Sequence, residues 1–246
     1  MTAVLQLTDL HIFEDAAKTM LPIDTKNSFS RVLDAALASG DKWDLIVLSG
    51  DLADLGEEAS YAWIAEKIKD TGIPTVAIPG NHDDRSLMAK YFDCPGSMEI
   101  GAWVLSFLDS CIPPATKGEL GNVALDALSA TLASKSKTPH LIFLHHPPVP
   151  LASSWMDGMG LTNAAALWQR MEGNGDIVAI AAGHAHQNFD AFENGVRVLV
   201  TPSTCTQFVP RTDRFALDAR GPGYRCIELA ENGELRTSVR RIKNNT

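Results

Sequence analysis

Five short segments combine carboxylates, one carboxamide and imidazoles at spacings suited to metal chemistry: TDLH (Asp9, His11), SGDL (Asp51), PGNHDD (Asn81, His82), FLHHPP (His145) and AGHAH (His184, His186). Asp9 and His11 are separated by one residue, so at a strand end both can reach one cation only where the loop turns. Asp51 closes LIVLSGD after a glycine that relieves backbone crowding, which suits a carboxylate bridging two cations. GNHD sets an amide oxygen (Asn81) beside an imidazole (His82) and an acid (Asp83), while the histidines of AGHAH flank Ala185 and can face different ions. Singly, any of these histidines could be a hydrogen-bonded structural residue. Six of the seven histidines nevertheless fall inside the five segments, and that conjunction points to a two-metal hydrolase site.

The segments share a setting. Each follows a short run rich in Val, Ile and Leu, which predicts buried strands over residues 3–8, 44–49, 74–78, 141–145 and 177–182, with the polar residues in loops at strand ends. Helical periodicity lies between them. Phe29, Val32, Leu33, Ala36 and Leu37 form one apolar face over 27–39, stopped at Gly40, and Tyr61, Ile64, Ala65 and Ile68 form another over 59–71, stopped at Gly72. Two more helices are predicted over 121–133 and 163–172. After residue 190 the pattern changes to strands at 196–201, 205–209, 224–230 and 234–242, joined by turns such as Asn194-Gly195 and Asn232-Gly233. They suggest antiparallel pairing and a second sheet packed on the first. The expectation is an α/β fold, a β-sandwich flanked by helices, formed as one domain over residues 1–246.

Composition narrows the function. A formal net charge of −9, with no Lys or Arg run longer than two, argues against a nucleic-acid surface. An anionic substrate then needs positive charge from bound metal ions. The first strand begins almost at the amino terminus and no stretch is apolar enough to span a bilayer, so a soluble, cytoplasmic protein without membrane partners is expected. Cys94, Cys111, Cys205 and Cys226 are irregularly spaced without CxxC, as reduced and mostly buried thiols would be.

TDLH, GDLAD, GNHDD, HHPP and GHAH resemble the signature of the calcineurin-like metallophosphoesterases, over residues 9 to 186. The resemblance implies a four-layer αββα sandwich with two mixed sheets. It implies that Asp9, His11 and His186 bind one metal ion, that Asn81, His145 and His184 bind the other, and that Asp51 bridges them. His82 would lie near the leaving group. The arginines of the phosphoprotein phosphatase motifs are missing after GD and before GNH. GNHDDRSLMAKYF, HHPPVP followed by Trp155-Met156-Asp157, VTPSTCTQFVP and LDARGPGY are instead similar to the bacterial class III cyclic-nucleotide phosphodiesterases, of the cAMP phosphodiesterase (Icc-type) group. Glycerophosphodiesterases or broad-specificity phosphodiesterases with the same site are the nearest alternative. A non-catalytic scaffold fits less well because every expected ligand is present, and a nuclease or lipid-precursor hydrolase would call for a basic groove or patch that is not evident.

The implied chemistry is a phosphodiester hydrolysis, converting cAMP to 5′-AMP. Mixed O and N donors suit Fe, Mn, Zn or Co, as two divalent ions or an Fe(III)/M(II) pair. Two such ions about 3.5–4 Å apart lower the pKa of a shared water from near 15.7 toward about 7 and hold the phosphoryl oxygens for in-line attack by the bridging hydroxide. Asn81 can bind metal through its oxygen while its N–H donates to a phosphate oxygen, and His82 can protonate the leaving oxygen or orient it. Asp83 or Asp84 could orient a histidine, although Asp84 better fits the cap of a helix starting near Arg85. Strand alternation lets only one of His145 and His146 face the metals, and the resemblance favours His145. His140, after Pro139, is expected to be exposed. Phe13, Trp155 and Phe208 lie near the motifs and could stack on a base or simply pack, and 147–162 could be a lid or a long connection.

Overall fold

The computed structural model describes residues 1–244. In chain order the elements are β1 (Thr2–Leu7), α1 (Thr25–Leu37), β2 (Leu45–Ser49), α2 (Glu58–Lys69), β3 (Thr75–Ile78), α3 (Arg85–Met88), β4 (Ser97–Ile100), β5 (Trp103–Leu108), α4 (Asn122–Ser134), β6 (His140–Leu144), α5 (Ser154–Asp157), α6 (Ala164–Met171), β7 (Ile177–Ala182), β8 (Phe189–Glu193), β9 (Val196–Val200), β10 (Gln207–Phe208), β11 (Leu217–Asp218), β12 (Gly223–Leu229) and β13 (Leu235–Arg241). The five strands expected ahead of the motifs and the four predicted helices are all present, to within a few residues.

Two mixed sheets result. One has the order β13-β12-β1-β2-β3 and the other β4-β5-β6-β7-β9-β8, with β10 and β11 as a separate short ladder. Strands β1, β2 and β3 run parallel, as do β5, β6, β7 and β9. Parallel strands covered on both faces need apolar residues at every position, which is why LIVLS, HLIFL and the end of IVAIAA are buried without alternation.

Three layers of core hold this together. Val4, Val47 and Ile78 of the first sheet meet Leu105, Phe143 and Ala181 of the second between the sheets. The outer face of the first sheet packs under α1 and α2 through Phe29, Val32, Tyr61 and Ile64, and that of the second under α4 and α6 through Leu125, Leu128, Leu132 and Leu167. This is the αββα arrangement. The apolar face of α1 is buried as its periodicity predicts except at its last position, where Leu37 is exposed. Asp24 caps the other end by accepting from Asn27 N at 3.0 Å.

The carboxy-terminal strands depart from expectation. The turns at Asn194-Gly195 and Asn232-Gly233 do close antiparallel hairpins, with both glycines at positive φ. The hairpins do not build a sheet of their own. β8–β9 joins the second sheet beside β7, whereas β12–β13 crosses back to pair with β1. A hairpin's local chemistry sets its turn, while the sheet edge it joins depends on which buried strand is left open. The amino-terminal strands are likewise divided, and β4, β5, β8 and β11 add to those predicted.

His140 is also corrected. It is fully buried as the first residue of β6, between Val104 of β5 and Ile177 of β7. Burial pushes its pKa below the ordinary histidine value, partly offset by the Lys135 carbonyl 3.3 Å from Nε2. All four cysteines are unpaired, three buried and Cys94 exposed. Among the described residues, no helix is long and apolar enough to cross a membrane.

Candidate metal centre and active site

Because the motif-bearing strands run parallel within each sheet, their carboxyl ends emerge on one edge, and the motif loops follow β1, β2, β3, β6 and β7 there. Hydrogen bonds join the two sheets across this edge: both Asp9 carboxylate oxygens accept from His184 N at 3.0 Å, and Ala182 O accepts from Gln6 Nε2 at 3.3 Å. The turn that Asp9 and His11 need is made by residues in the left-handed region, φ 53° and 49°, and Asp51, His184 and His186 share that conformation at 52°, 69° and 49°. Such backbone is costly for residues other than glycine, and its concentration here marks a site whose geometry the surrounding packing enforces.

The side chains converge. Ligand atoms of Asp9, His11 and His186 form one compact group, those of Asp9, Asp51 and His145 a second, and those of His145, His146 and His184 a third. Asp51 sits between the first and last of these. Its Oδ2 is 3.7 Å from His11 Nε2 and 3.3 Å from His145 Nε2, without the alignment of a hydrogen bond, and its Oδ1 accepts from His82 N at 2.9 Å. All these carboxylates and imidazoles are buried. Burial disfavours the charged Asp51 carboxylate, but the nearby His145 and His11 rings hold it well below the usual range. Burial similarly opposes charge on His145, yet Asp51 and Asp9 raise it to about 9, whereas His184, buried and next to His145, falls to about 3.

Three of these rings are locked by a bond at the other nitrogen. His145 Nδ1 donates to Ser49 O at 2.9 Å, His186 Nδ1 to Thr206 O at 2.8 Å, and His11 Nδ1 to the Asp54 carboxylate at 2.9 Å. With the proton held at Nδ1, a ring that is neutral presents Nε2 as a lone pair, as metal ligation requires; in His145, where burial is outweighed by Asp51 and Asp9, the ring gives up its Nε2 proton when a metal binds. The Nε2 atoms of His11 and His186 then face each other at 3.1 Å. Two lone pairs so placed repel unless a cation or proton lies in their field. Nearby, Asn81 Oδ1 and Nε2 of His145, His146 and His184 are buried without any hydrogen-bond partner. Unmatched buried acceptors of this density fit cation binding.

Three placements differ from the residue-level expectations. His146 also turns in, because β6 ends at Leu144 and strand alternation no longer governs the next two residues; its Nδ1 pairs with Ser110 Oγ at 2.8 Å. Asp83 orients no histidine. Its carboxylate accepts from Leu52 N, Ala53 N, Gly80 N and the Tyr61 hydroxyl, tying the loop after β2 to the loop after β3. Burial and the nearby Asp51 raise Asp83 to about 6 against the pull of those N–H groups. The residue that does orient a histidine is Asp54, through His11, and its carbonyl also accepts from His82 Nδ1 at 2.8 Å. The signal for it is the second aspartate of GDLAD. Asp84 caps α3 as expected, accepting from Ser86 N and Leu87 N.

His82 is exposed at the rim, its ring edge-on to His11 at 4.8 Å. Since a carbonyl can only accept, the Asp54 bond fixes the neutral ring's proton on Nδ1 and leaves Nε2 available to a substrate. Residues 147–162 are a folded connection. Asp157 accepts from Leu151 N at 2.7 Å, and Trp168 Nε1 donates to Pro148 O at 3.0 Å. Phe13 is buried, while Phe208 stacks flat on His186 with centroids 4.2 Å apart.

Comparison with known proteins agrees with this geometry. A family model described as calcineurin-like phosphoesterase matches residues 2–188. The chain is 37% identical over 245 residues to the 3′,5′-cyclic adenosine monophosphate phosphodiesterase CpdA of Escherichia coli (strain K12), covering 97% of this chain and 89% of that protein. It is 35% identical over 245 residues to the protein of the same name from Vibrio vulnificus (strain CMCP6), with the same coverage. Among solved structures, a dimetal phosphatase from Danio rerio superposes with a TM-score of 0.67 at 13% identity, covering 98% of this chain and 97% of that one, a likeness of fold. With the motif loops, the αββα layers and the family model in agreement over most of its length, the chain belongs to the calcineurin-like phosphoesterase family.

Proposed function

We propose that this chain hydrolyses 3′,5′-cyclic AMP to 5′-AMP at a two-metal site, with the whole chain acting as one catalytic domain. The observation that supports metal binding best is the pair of facing, bare Nε2 atoms of His11 and His186 amid unpartnered buried acceptors. The substrate reading rests on the near full-length relatives that bear the cAMP phosphodiesterase name. Asp9, His11 and His186 would hold one ion, Asn81, His145 and His184 the other, and Asp51 both. Fe, Mn, Zn and Co all suit these donors. Bound ions supply Lewis acidity and a nucleophile at neutral pH.

The chain's own groups do the rest. The amide N–H of Asn81 donates to a phosphoryl oxygen whose charge grows as the P–O3′ bond breaks. A water-derived oxygen forms the new P–O bond opposite the ribose 3′ oxygen. His82, whose pKa burial lowers but Asp51 and the Asp54 carbonyl raise overall, acts as the doubly protonated ring: it gives its Nε2 proton to that leaving oxygen and keeps the Nδ1 proton on Asp54 O. We further propose a cytoplasmic location, which the four free thiols support because thiols stay reduced in such a compartment.

The direct test strips the protein of metal and reloads it with Mn²⁺, Fe²⁺ or Zn²⁺, then compares 3′,5′-cAMP, glycerophosphocholine and bis-p-nitrophenyl phosphate. Metal-dependent release of 5′-AMP that outruns the other two reactions is expected. Turnover of the generic diester with negligible cAMP cleavage would move the substrate elsewhere. For His82→Ala, a loss on the order of 10²-fold is expected with cAMP and a smaller one with p-nitrophenolate as leaving group, which needs less protonation. Equal losses would exclude proton donation.

A further inference from the structure

One aromatic assembly runs outward from the metal centre. Phe208, stacked on His186, contacts Trp155 at 5.5 Å and Phe215 at 5.1 Å, and Trp155 and Phe215 meet at 5.4 Å, each pair edge to face. Phe208 is buried, whereas Phe215 is 51% exposed. Phe215 thus stands two ring-to-ring steps, 4.2 and 5.1 Å, from the His186 imidazole. Its loop is firmly built. Arg211 N donates to Ser153 Oγ at 2.9 Å, Ser154 Oγ donates to Asp213 at 2.8 Å, and Val209 N donates to Ala216 O at 2.9 Å. Holding a large apolar ring in water opposes the hydrophobic effect, and the tethers to α5 keep it there.

From this geometry we infer that Phe215, backed by Phe208 and Trp155, is the stacking platform for the nucleobase of the substrate, and so a specificity-determining residue for the reaction. The inference rests on the cyclic-nucleotide reading above. Its form selects the ligand. Three rings packed edge to face leave no gap in which a quaternary ammonium could be caged, only an outer ring face suited to a flat heterocycle. The exposed charges on the same loop, Arg211, Asp213 and Arg214, sum to one positive charge, which does not favour a cationic headgroup such as choline. A base stacked at this distance leaves the ribose to span the gap to the phosphate beside His186.

The test compares wild type, Phe215→Ala and Phe215→Trp, all Mn²⁺-loaded, on 3′,5′-cAMP and on a base-free substrate, 1-O-methylribose 3,5-cyclic phosphate. Phe215→Ala is expected to raise KM for cAMP about tenfold, the low end of base–aromatic stacking, with kcat nearly unchanged. The base-free substrate should show no change, and Phe215→Trp should restore the cAMP value. Calorimetry of 5′-AMP against ribose 5-phosphate gives a readout independent of turnover, in which only the nucleotide should lose affinity in Phe215→Ala. Equal effects on substrates with and without the base, or none on cAMP, would overturn the platform while leaving the cyclic-nucleotide reading intact. Absent cAMP turnover with Phe215-dependent 5′-AMP binding would overturn that reading and keep the platform.

Discussion

Asp51→Ala is expected to abolish phosphodiester hydrolysis, by at least on the order of 10³-fold, because the contribution of bound metal ions is several kcal/mol of transition-state stabilisation. The position leaves little room for compensation. Asp51 Oδ2 lies between His11 Nε2 and His145 Nε2, and Oδ1 receives His82 N, so one side chain touches both ends of the site and the loop carrying Asn81 and His82. The glycines on either side are cut to its shape. A Cβ on Gly80 would fall onto Asp51 Oδ1, and one on Gly50 would meet the His145 ring. Metal analysis of the purified variant should show depleted metal, and its circular dichroism should match wild type. A variant with full activity would refute the bridging role.

The second large effect is on stability. Asp83→Ala removes one acceptor from four buried or half-buried donors: Leu52 N, Ala53 N, Gly80 N and the Tyr61 hydroxyl. Stranded buried donors cost about 1–3 kcal/mol each, and with partial relaxation a loss of about 3–5 kcal/mol is expected. For a chain of this size that corresponds to a fall of roughly 6–10 °C in Tm, measurable by scanning calorimetry. Activity should fall too, since the lost bonds join the Asp51 loop to the Asn81 loop. Asp83→Asn, which keeps one acceptor oxygen, should lose less. Unchanged Tm in Asp83→Ala would show that the carboxylate does not brace these loops.

Much of the fold and site was legible because both rest on local signals. Buried parallel strands demand uninterrupted Val, Ile and Leu, so β2, β3, β6 and β7 announce themselves, and the polar residues that end them stand out as the motifs. The hairpin turns were legible from Asn-Gly pairs for the same reason.

Other features have no local signature. The partners that lock His145 and His186 are the carbonyls of Ser49 and Thr206, and a carbonyl is common to every residue. The burial of His140 and the inward turn of His146 cannot be read from their neighbours, since they depend on strands β5 and β7 and on where β6 stops. Phe215 carries no motif at all; its place beside Phe208 exists only once the loop after β10 is tied to α5. The amino-acid sequence by itself determined which elements form and which side chains can do chemistry, because periodicity and residue type act over a few neighbours. Only the tertiary structure decided which sheet takes each hairpin, which nitrogen of each ring is bare and which aromatic ring flanks the site, because those depend on packing between residues far apart in the chain, such as Leu229 paired with Thr2 and Cys205 against Asp9.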